Sequence, residues 1–281
     1  MVTLLCPVRG CGALLERSGR AYVCARGHSF DLARSGYCNL LQPQDRKSKE
    51  PGDPKAAVLA RRRFLEAGHG ALLLESLREI LAARDASAVL DVLDVGCGEG
   101  FYLGSLAAGR PLEAYGIDIS TPAIDLAARR YPGERSGVRW LVVNADRTLP
   151  FAAAAFDLVL SLTARRNASE VHRVLKPRGR LIVAVPGEDD LIEAREAVLG
   201  ERVLRNRVAS VRSDFAAFFE IESARTPRRR ERLEPEEIRD ALAATYRGAR
   251  ESERRRREEL TAMEVTLSYD LLVFRPRSET S

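Results

Sequence analysis

Along this chain, short apolar runs alternate with amphipathic stretches, the pattern of a parallel α/β sheet with crossover helices. The first run, Ala88-Val89-Leu90-Asp91-Val92-Leu93, leads into Val95-Gly96-Cys97-Gly98-Glu99-Gly100. A helix-forming segment follows, and then a second run ending in an acid, Tyr115-Gly116-Ile117-Asp118. Strand, Gly-rich turn, helix and a second strand closed by a carboxylate make a nucleotide-binding half-site. The glycines let the backbone approach a ligand, and the carboxylate can accept both hydroxyls of a ribose. No Gly-Lys-Ser/Thr follows, so nothing is placed to hold a triphosphate.

The later pattern extends the sheet. Val138-Arg139-Trp140-Leu141-Val142-Val143 predicts a third strand, ending at Asn144-Ala145-Asp146, where a carboxylate could bind an adenine amino group. Phe156 to Ser161 predicts a fourth, and Ala168 to Leu175 a short amphipathic helix that Pro177 stops. A Lys176-Pro177-Arg178-Gly179 turn then enters a fifth strand, Arg180 to Pro186. Leu191 to Val208 is expected to be helical. Asp214 to Ile221 and Val265 to Phe274 are expected to be the last two strands, an antiparallel pair at the sheet edge, with a helix starting at Glu234-Pro235 between them. Ahead of the sheet, Lys55 to Arg84 reads as one or two helices, and the polar, Pro-rich stretch Gln42 to Pro54 as a linker able to close over a ligand.

Composition narrows the class. A length of 281 residues with 45% hydrophobic content supports one large domain plus a small module. No apolar run reaches the roughly 18 residues of a membrane helix, and the N-terminus lacks the pattern of a signal peptide. A soluble cytoplasmic protein without membrane association is expected. The net charge of +5 is mild, but the arginines cluster at Arg61-Arg62-Arg63, Arg228-Arg229-Arg230 and Arg254 to Arg257. Such clusters are usually solvated helix faces and sometimes polyanion contacts.

The cysteines crowd the N-terminus. Cys6 and Cys11 form one close pair, Cys24 and His28 another, and between them Leu14 to Val23 reads as a hairpin turning at Ser18-Gly19. Two ligand pairs on a hairpin can surround a tetrahedral zinc, and three thiolates with one imidazole leave no open coordination position. Such a module has too little core to fold alone, so the metal would hold it together. A disulfide or free buried thiols are the competing readings, the former disfavoured without a secretion signal. Cys38 is expected in a core, and Cys97 inside the Gly-rich turn.

Leu93-Asp94-Val95-Gly96-Cys97-Gly98-Glu99-Gly100 resembles the first motif of class I S-adenosylmethionine-dependent methyltransferases, and the Lys-Pro-x-Gly stretch resembles their fifth-strand unit. The N-terminal series is more specific still. Cys24-Ala25-Arg26-Gly27-His28-Ser29-Phe30-Asp31, Gly36-Tyr37-Cys38-Asn39-Leu40-Leu41, Pro51-Gly52-Asp53 and Ala60 to His69 closely resemble the 23S rRNA (guanine-N1-)-methyltransferases of the RlmA type. The resemblance runs from Cys6 to about Pro186. It implies an α/β class I methyltransferase fold of Rossmann type with a small N-terminal zinc-ribbon-like module. The expected organisation is a zinc-binding module over 1–37, a linker and helical segment over 38–84, and a methyltransferase domain over 85–281.

The resemblance implies S-adenosylmethionine as cofactor and one structural Zn2+ on Cys6, Cys11, Cys24 and His28. The expected cofactor site is Asp94, Gly96, Cys97, Gly98, Glu99 and Gly100 of the turn, Asp118 and Ile119, the loop Asn144-Ala145-Asp146, and Ser161. The implied substrate is a 23S rRNA hairpin, with Arg61, Arg62, Arg63, Arg165 and Arg166 as candidate contacts; members of the family are often dimeric. The chain departs from the family in four places. Its first cysteine pair carries two extra residues, Gly70 stands where an aromatic is common, Leu162-Thr163-Ala164-Arg165-Arg166 replaces a segment ending Ala-Pro, and Asp190 replaces a histidine before Leu191. A small-molecule methyltransferase on the same scaffold and a non-catalytic RNA-binding relative are the alternatives. No catalytic base is nominated: His172 reads as a surface helix residue, His69 as a helix C-cap and Asp146 as an adenine ligand.

Overall fold

A computed structural model describes residues 2–45, 48, 51–82, 88–164, 167–245 and 251–277. Arg165 and Arg166 lie outside them.

The N-terminal ribbon is a three-stranded antiparallel sheet, β1 (Leu15–Ser18), β2 (Ala21–Cys24) and β3 (Ser29–Asp31). Ser18 pairs with Ala21, so the hairpin turns on Gly19-Arg20, one residue later than expected. The ribbon does not stand apart. Leu4 bridges Phe151, Leu5 N–H donates to the Pro150 carbonyl at 2.9 Å, and Val2, Leu4, Cys6 and Leu15 share one core with Tyr115, Phe151 and Phe156. The next strand, β4 (Cys38–Asn39), joins the edge of the main sheet, with Cys38 fully buried.

The expected helices follow as α1 (Lys55–Phe64) and α2 (Ala71–Ala82), joined by a wide turn over Leu65–His69. The main sheet then adds β5 (Leu90–Val95), β6 (Leu112–Asp118), β7 (Val138–Val142), β8 (Phe156–Leu162) and β9 (Leu175–Pro186). Their crossovers include α3 (Phe101–Ala107), α4 (Thr121–Arg130), α5 (Gly133–Ser136) and α6 (Ala168–Val174). After β9 come α7 (Ile192–Leu199), α8 (Val208–Phe215), β10 (Phe219–Arg225), β11 (Arg228–Leu233), α9 (Pro235–Thr245), α10 (Glu251–Glu258) and β12 (Met263–Pro276). The strand order is β10-β12-β9-β8-β5-β6-β7-β4. All neighbours from β4 to β9 are parallel, while β12 runs antiparallel to β9 and β10. The chain reverses its direction of travel across the sheet at β5, and ligands of open α/β sheets bind at the carboxyl ends of the strands beside such a reversal.

Four local expectations change. The Lys-Pro-x-Gly stretch is a bulge within β9: Phe156 pairs Leu175, then Leu158 pairs Arg180. Lys176 Nζ is drawn inward to Asp91 at 2.8 Å and Asp157 at 2.9 Å. The helix after Leu191 stops at Gly200, which takes the left-handed conformation (φ 82°) of a helix C-cap. Asp214 and Phe215 belong to a helix, not a strand, because Val211 and Phe215 bury at i, i+4, and the strand begins at Phe219. Arg228-Arg229-Arg230 opens a strand rather than a helix face, paired with Ser268, Leu267 and Thr266 of β12.

Candidate active site and zinc centre

Cys6, Cys11, Cys24 and His28 converge so that their ligand atoms lie within 4.8 Å of one another. Cys6 Sγ and Cys24 Sγ stand 3.5 and 3.4 Å from His28 Nδ1, and Cys11 Sγ is 3.9 Å from Cys24 Sγ. Two sulfurs about 2.3 Å from a tetrahedral centre are about 3.8 Å apart, so the cage has the size zinc requires. Burial opposes ionisation of Cys24, yet the backbone N–H groups of His28 and Arg26 hold its thiol down at about 6. Cys6 goes the other way: burial pushes its thiol up to about 12, so there the bound metal itself must favour the thiolate. The donors fit one structural zinc with no vacant position.

The cofactor turn leaves β5 with Gly96, Gly98 and Gly100 all in the left-handed region. A Cβ on Gly96 would stand 2.5 Å from that of Ala164, and one on Gly100 2.5 Å from the Trp140 ring, so both positions require glycine. Asp118 closes β6 and clasps this turn, accepting from Gly98 N–H at 3.0 Å and Ser120 N–H at 2.8 Å. Burial pushes Asp118 up, opposed by those two N–H groups and by Arg61. Asp94 is pushed up to about 8 by burial and then by the neighbouring Asp118 and Glu99. Glu99 is raised by burial against the pull of Arg61. Asp94 Oδ1, Glu99 Oε2 and Ser161 Oγ are buried without a hydrogen-bond partner. Unsatisfied carboxylate oxygens beside a Gly-rich turn suit a cationic ligand carrying hydroxyl and amino donors. S-adenosylmethionine has that chemistry.

Above the turn lies a cavity of about 280 Å³, lined by Gly96, Asp118, Ile119, Asn144, Ala145 and Asp146 from the expected set. Cys97, Gly98 and Gly100 shape the turn instead, and Asp94, Glu99 and Ser161 are buried beneath it without lining the cavity. Asn144 is partly committed, its Nδ2 donating to the Asp45 carbonyl at 2.9 Å and its Oδ1 accepting from Asp146 N–H at 3.0 Å. The linker supplies a further wall through Pro51, Gly52 and Asp53. Ser120 Oγ donates to the Asp53 carbonyl at 2.9 Å, which ties the linker down over the site.

The arginine triplet divides. Arg61 turns into the cavity and pairs with Asp53 at 2.9 Å. Arg62 pairs with Glu66 at 3.1 Å, and Arg63 grips Asp240 of α9 at 2.5 and 2.8 Å. The three do not form one patch. A sequence-level signal for the role of Arg61 existed only in its place just after the linker. His69 is no C-cap: it is buried, with Nδ1 2.8 Å from Glu231 and Nε2 3.1 Å from Glu237, and so joins the helical segment to β11 and α9. His172 sits half-buried on its helix and packs its ring against Phe218 and Phe219. At Gly70 a Cβ would come 2.6 Å from Phe101, so the ring of α3 occupies the room that an aromatic at this position would need.

A second cavity, about 460 Å³, adjoins the first and shares Asp53, Arg61, Thr163 and Ala164 with it. Tyr102 of α3, Tyr269 of β12 and Asp190 also line it. Burial pushes both tyrosines up, so they are neutral hydroxyls at physiological pH.

Comparison with known proteins agrees with this geometry. Residues 4–49 match the family model described as "RlmA, N-terminal", a zinc ribbon, and residues 93–183 match "Methyltransferase domain". The 23S rRNA (guanine(748)-N(1))-methyltransferase of Streptomyces fradiae is 34% identical over 279 residues, covering 97% of this chain and 96% of that one. The chain belongs to the RlmA-type guanine-N1-methyltransferase family. It is a class I S-adenosylmethionine-dependent methyltransferase with a structural zinc ribbon. A Micromonospora griseorubida relative, whose name gives the same activity provisionally, is 33% identical and covers 84% of this chain and 83% of its own. The solved YcgJ protein of Bacillus subtilis shares the fold, with a TM-score of 0.53 at 16% identity, over 73% of this chain and 99% of that one. Among the described residues no helix is long and apolar enough to cross a membrane.

Proposed function

We propose that this enzyme transfers a methyl group to N1 of a guanine in a hairpin loop of 23S rRNA, in the cytoplasm. The supporting observation is the pair of adjoining cavities. One is lined by Gly96 of the glycine turn and by Asp118 and Asp146, which suit the cofactor, and the other, within the size range of small-ligand pockets, has room for one base taken out of its stack. The Streptomyces fradiae relative, named for this reaction, is similar along nearly the whole chain.

In this reading Asp118 takes the ribose hydroxyls and the Asn144–Asp146 loop faces the adenine. Asp94 and Glu99 answer the cationic end. When bound, S-adenosylmethionine supplies an electrophilic methyl group. The chain's contribution is to align guanine N1 with it, exclude water and hold the base, and positioning of this kind carries much of the rate. Arg62 and Arg63 are the described members of the candidate RNA-contacting set outside the cofactor cavity, and their neutralisation should lower the salt dependence of RNA binding.

The test is incubation of the purified enzyme with methyl-labelled cofactor and either unmodified 23S rRNA or a pool of small metabolites. Label in the rRNA supports the reading. Label in metabolites alone replaces it with the small-molecule alternative, and label in neither replaces it with the non-catalytic one.

A further inference from the structure

Guanine N1 carries a proton at neutral pH and must lose it as the new bond forms, so some group near the second cavity must accept it. No histidine lines that cavity. Its tyrosines are neutral donors, and Asp53 is held by Arg61. Among the described residues, one carboxylate lining the cavity is left, on Asp190. We propose that Asp190 is the catalytic base that reads the guanine N1–H and accepts its proton during methyl transfer. The assignment rests on the guanine-N1 reading given above.

Three features hold Asp190 in place. Its Oδ1 accepts the Ser268 N–H at 3.0 Å, which fixes the carboxylate against β12. The next residue, Leu191, is buried in the left-handed region (φ 51°), a strained conformation for a leucine. Its N–H is pinned to the Thr266 carbonyl at 2.7 Å. The adjacent Asp189 does a different job, pairing with Arg228 at 2.9 Å and accepting from Ser268 Oγ at 2.8 Å.

The charged surroundings also suit a base. Arg195 of α7 lies nearby but spends two of its nitrogens on the Val203 and Glu188 carbonyls. Arg205 and Arg207 approach from the segment before α8, Tyr269 from β12, and Arg61 with Asp53 and Tyr102 from across the cavity. Burial pushes Asp190 up to about 7, with the Ser268 N–H, Arg195 and Arg207 pulling it back and Asp189 adding to the rise. A base poised there is ionised in part at neutral pH and strong enough to take a proton.

The step balances. The N1–H bond breaks and its proton goes to the Asp190 carboxylate. The N1 lone pair forms the bond to the methyl carbon, and the carbon–sulfur electron pair stays on sulfur, giving a neutral thioether. Asp190 then returns its proton to water as the product leaves.

The decisive variant is Asp190→Asn, which keeps the size of the side chain and can still accept the Ser268 N–H. Its turnover on rRNA should fall by about 100-fold or more, while its cofactor affinity and Tm match the parent. The parent's rate should rise with pH and level off above about 7, because the base form accumulates there. The Asn variant should lose that step, and Asp190→Glu should restore part of it. Asp189→Asn should leave rate and pH profile near the parent's. If Asp190→Asn forms 1-methylguanosine at the parental rate, or keeps the step near pH 7, the assignment to Asp190 is overturned and the guanine-N1 reading stands. If the parent forms no 1-methylguanosine, the guanine-N1 reading falls and this assignment falls with it.

Discussion

The zinc ribbon and the cofactor turn both gather groups that ionise to anions and that a bound cation would balance, but they are assembled differently. In the ribbon, one short stretch from Cys6 to His28 supplies every ligand, and backbone N–H groups have already lowered the Cys24 thiol. In the turn, Asp94, Glu99 and Asp118 come from β5, the loop after it and β6, and burial raises all three. In the ribbon the Cys24 thiol is lowered while burial pushes the Cys6 thiol up to about 12, whereas in the turn all three carboxylates are raised and a bound cation would favour their ionisation. A structural metal needs permanence. A cofactor that must leave after each turnover is better served by a site that relaxes without it.

The largest effect expected from this contrast is on metal removal. Structural zinc contributes apparent folding free energies of roughly 10–16 kcal/mol in small zinc-finger peptides. Because the ribbon shares its core with Tyr115, Phe151 and Phe156, chelation should lower the Tm of the whole chain, read by scanning calorimetry with metal analysis alongside. An unchanged Tm at zero zinc would separate the ribbon from the fold and break the comparison.

Next comes Asp118→Ala. It removes a carboxylate that clasps the glycine turn and, in our reading, holds the ribose. Cofactor binding should weaken by about 2–4 kcal/mol, measured by titration calorimetry. Parental affinity would move the cofactor elsewhere.

A smaller effect sharpens the electrostatic side. Asp94 has its folded value raised to about 8, so its contribution to stability is full below the ordinary carboxylate range and is lost as pH rises to about 8. A cationic ligand prefers the ionised form. The affinity for S-adenosylmethionine should therefore improve several-fold between about pH 6 and pH 7.5, with proton release on binding. Calorimetry in two buffers of different ionisation enthalpy measures both. Binding without proton release, at an affinity independent of pH, would show that the acid cluster is already ionised before the ligand arrives.

The same contrast explains what was legible in the sequence. Ligand spacing encodes the ribbon, because a hairpin brings its own two ends together. The glycine turn and Asp118 are legible because a strand, turn, helix and strand are consecutive and their periodicities differ. The second cavity is not, because Arg61, Tyr102, Asp190 and Tyr269 meet only through the tertiary fold. Arg228 to Leu233 hid as a strand because arginines dominate it and only Leu233 is buried, so its pairing with β12 leaves no apolar pattern in the sequence. His69 gave no sign of its partners, Glu231 and Glu237, which lie far along the chain.

The central claim is that the two cavities form one reaction site that methylates guanine at N1. The most direct measurement is mass spectrometry of nucleosides released from 23S rRNA after reaction with the purified enzyme. The account predicts a single new product, 1-methylguanosine. A methyl group on guanine N2 or N7, or on another base, would contradict it.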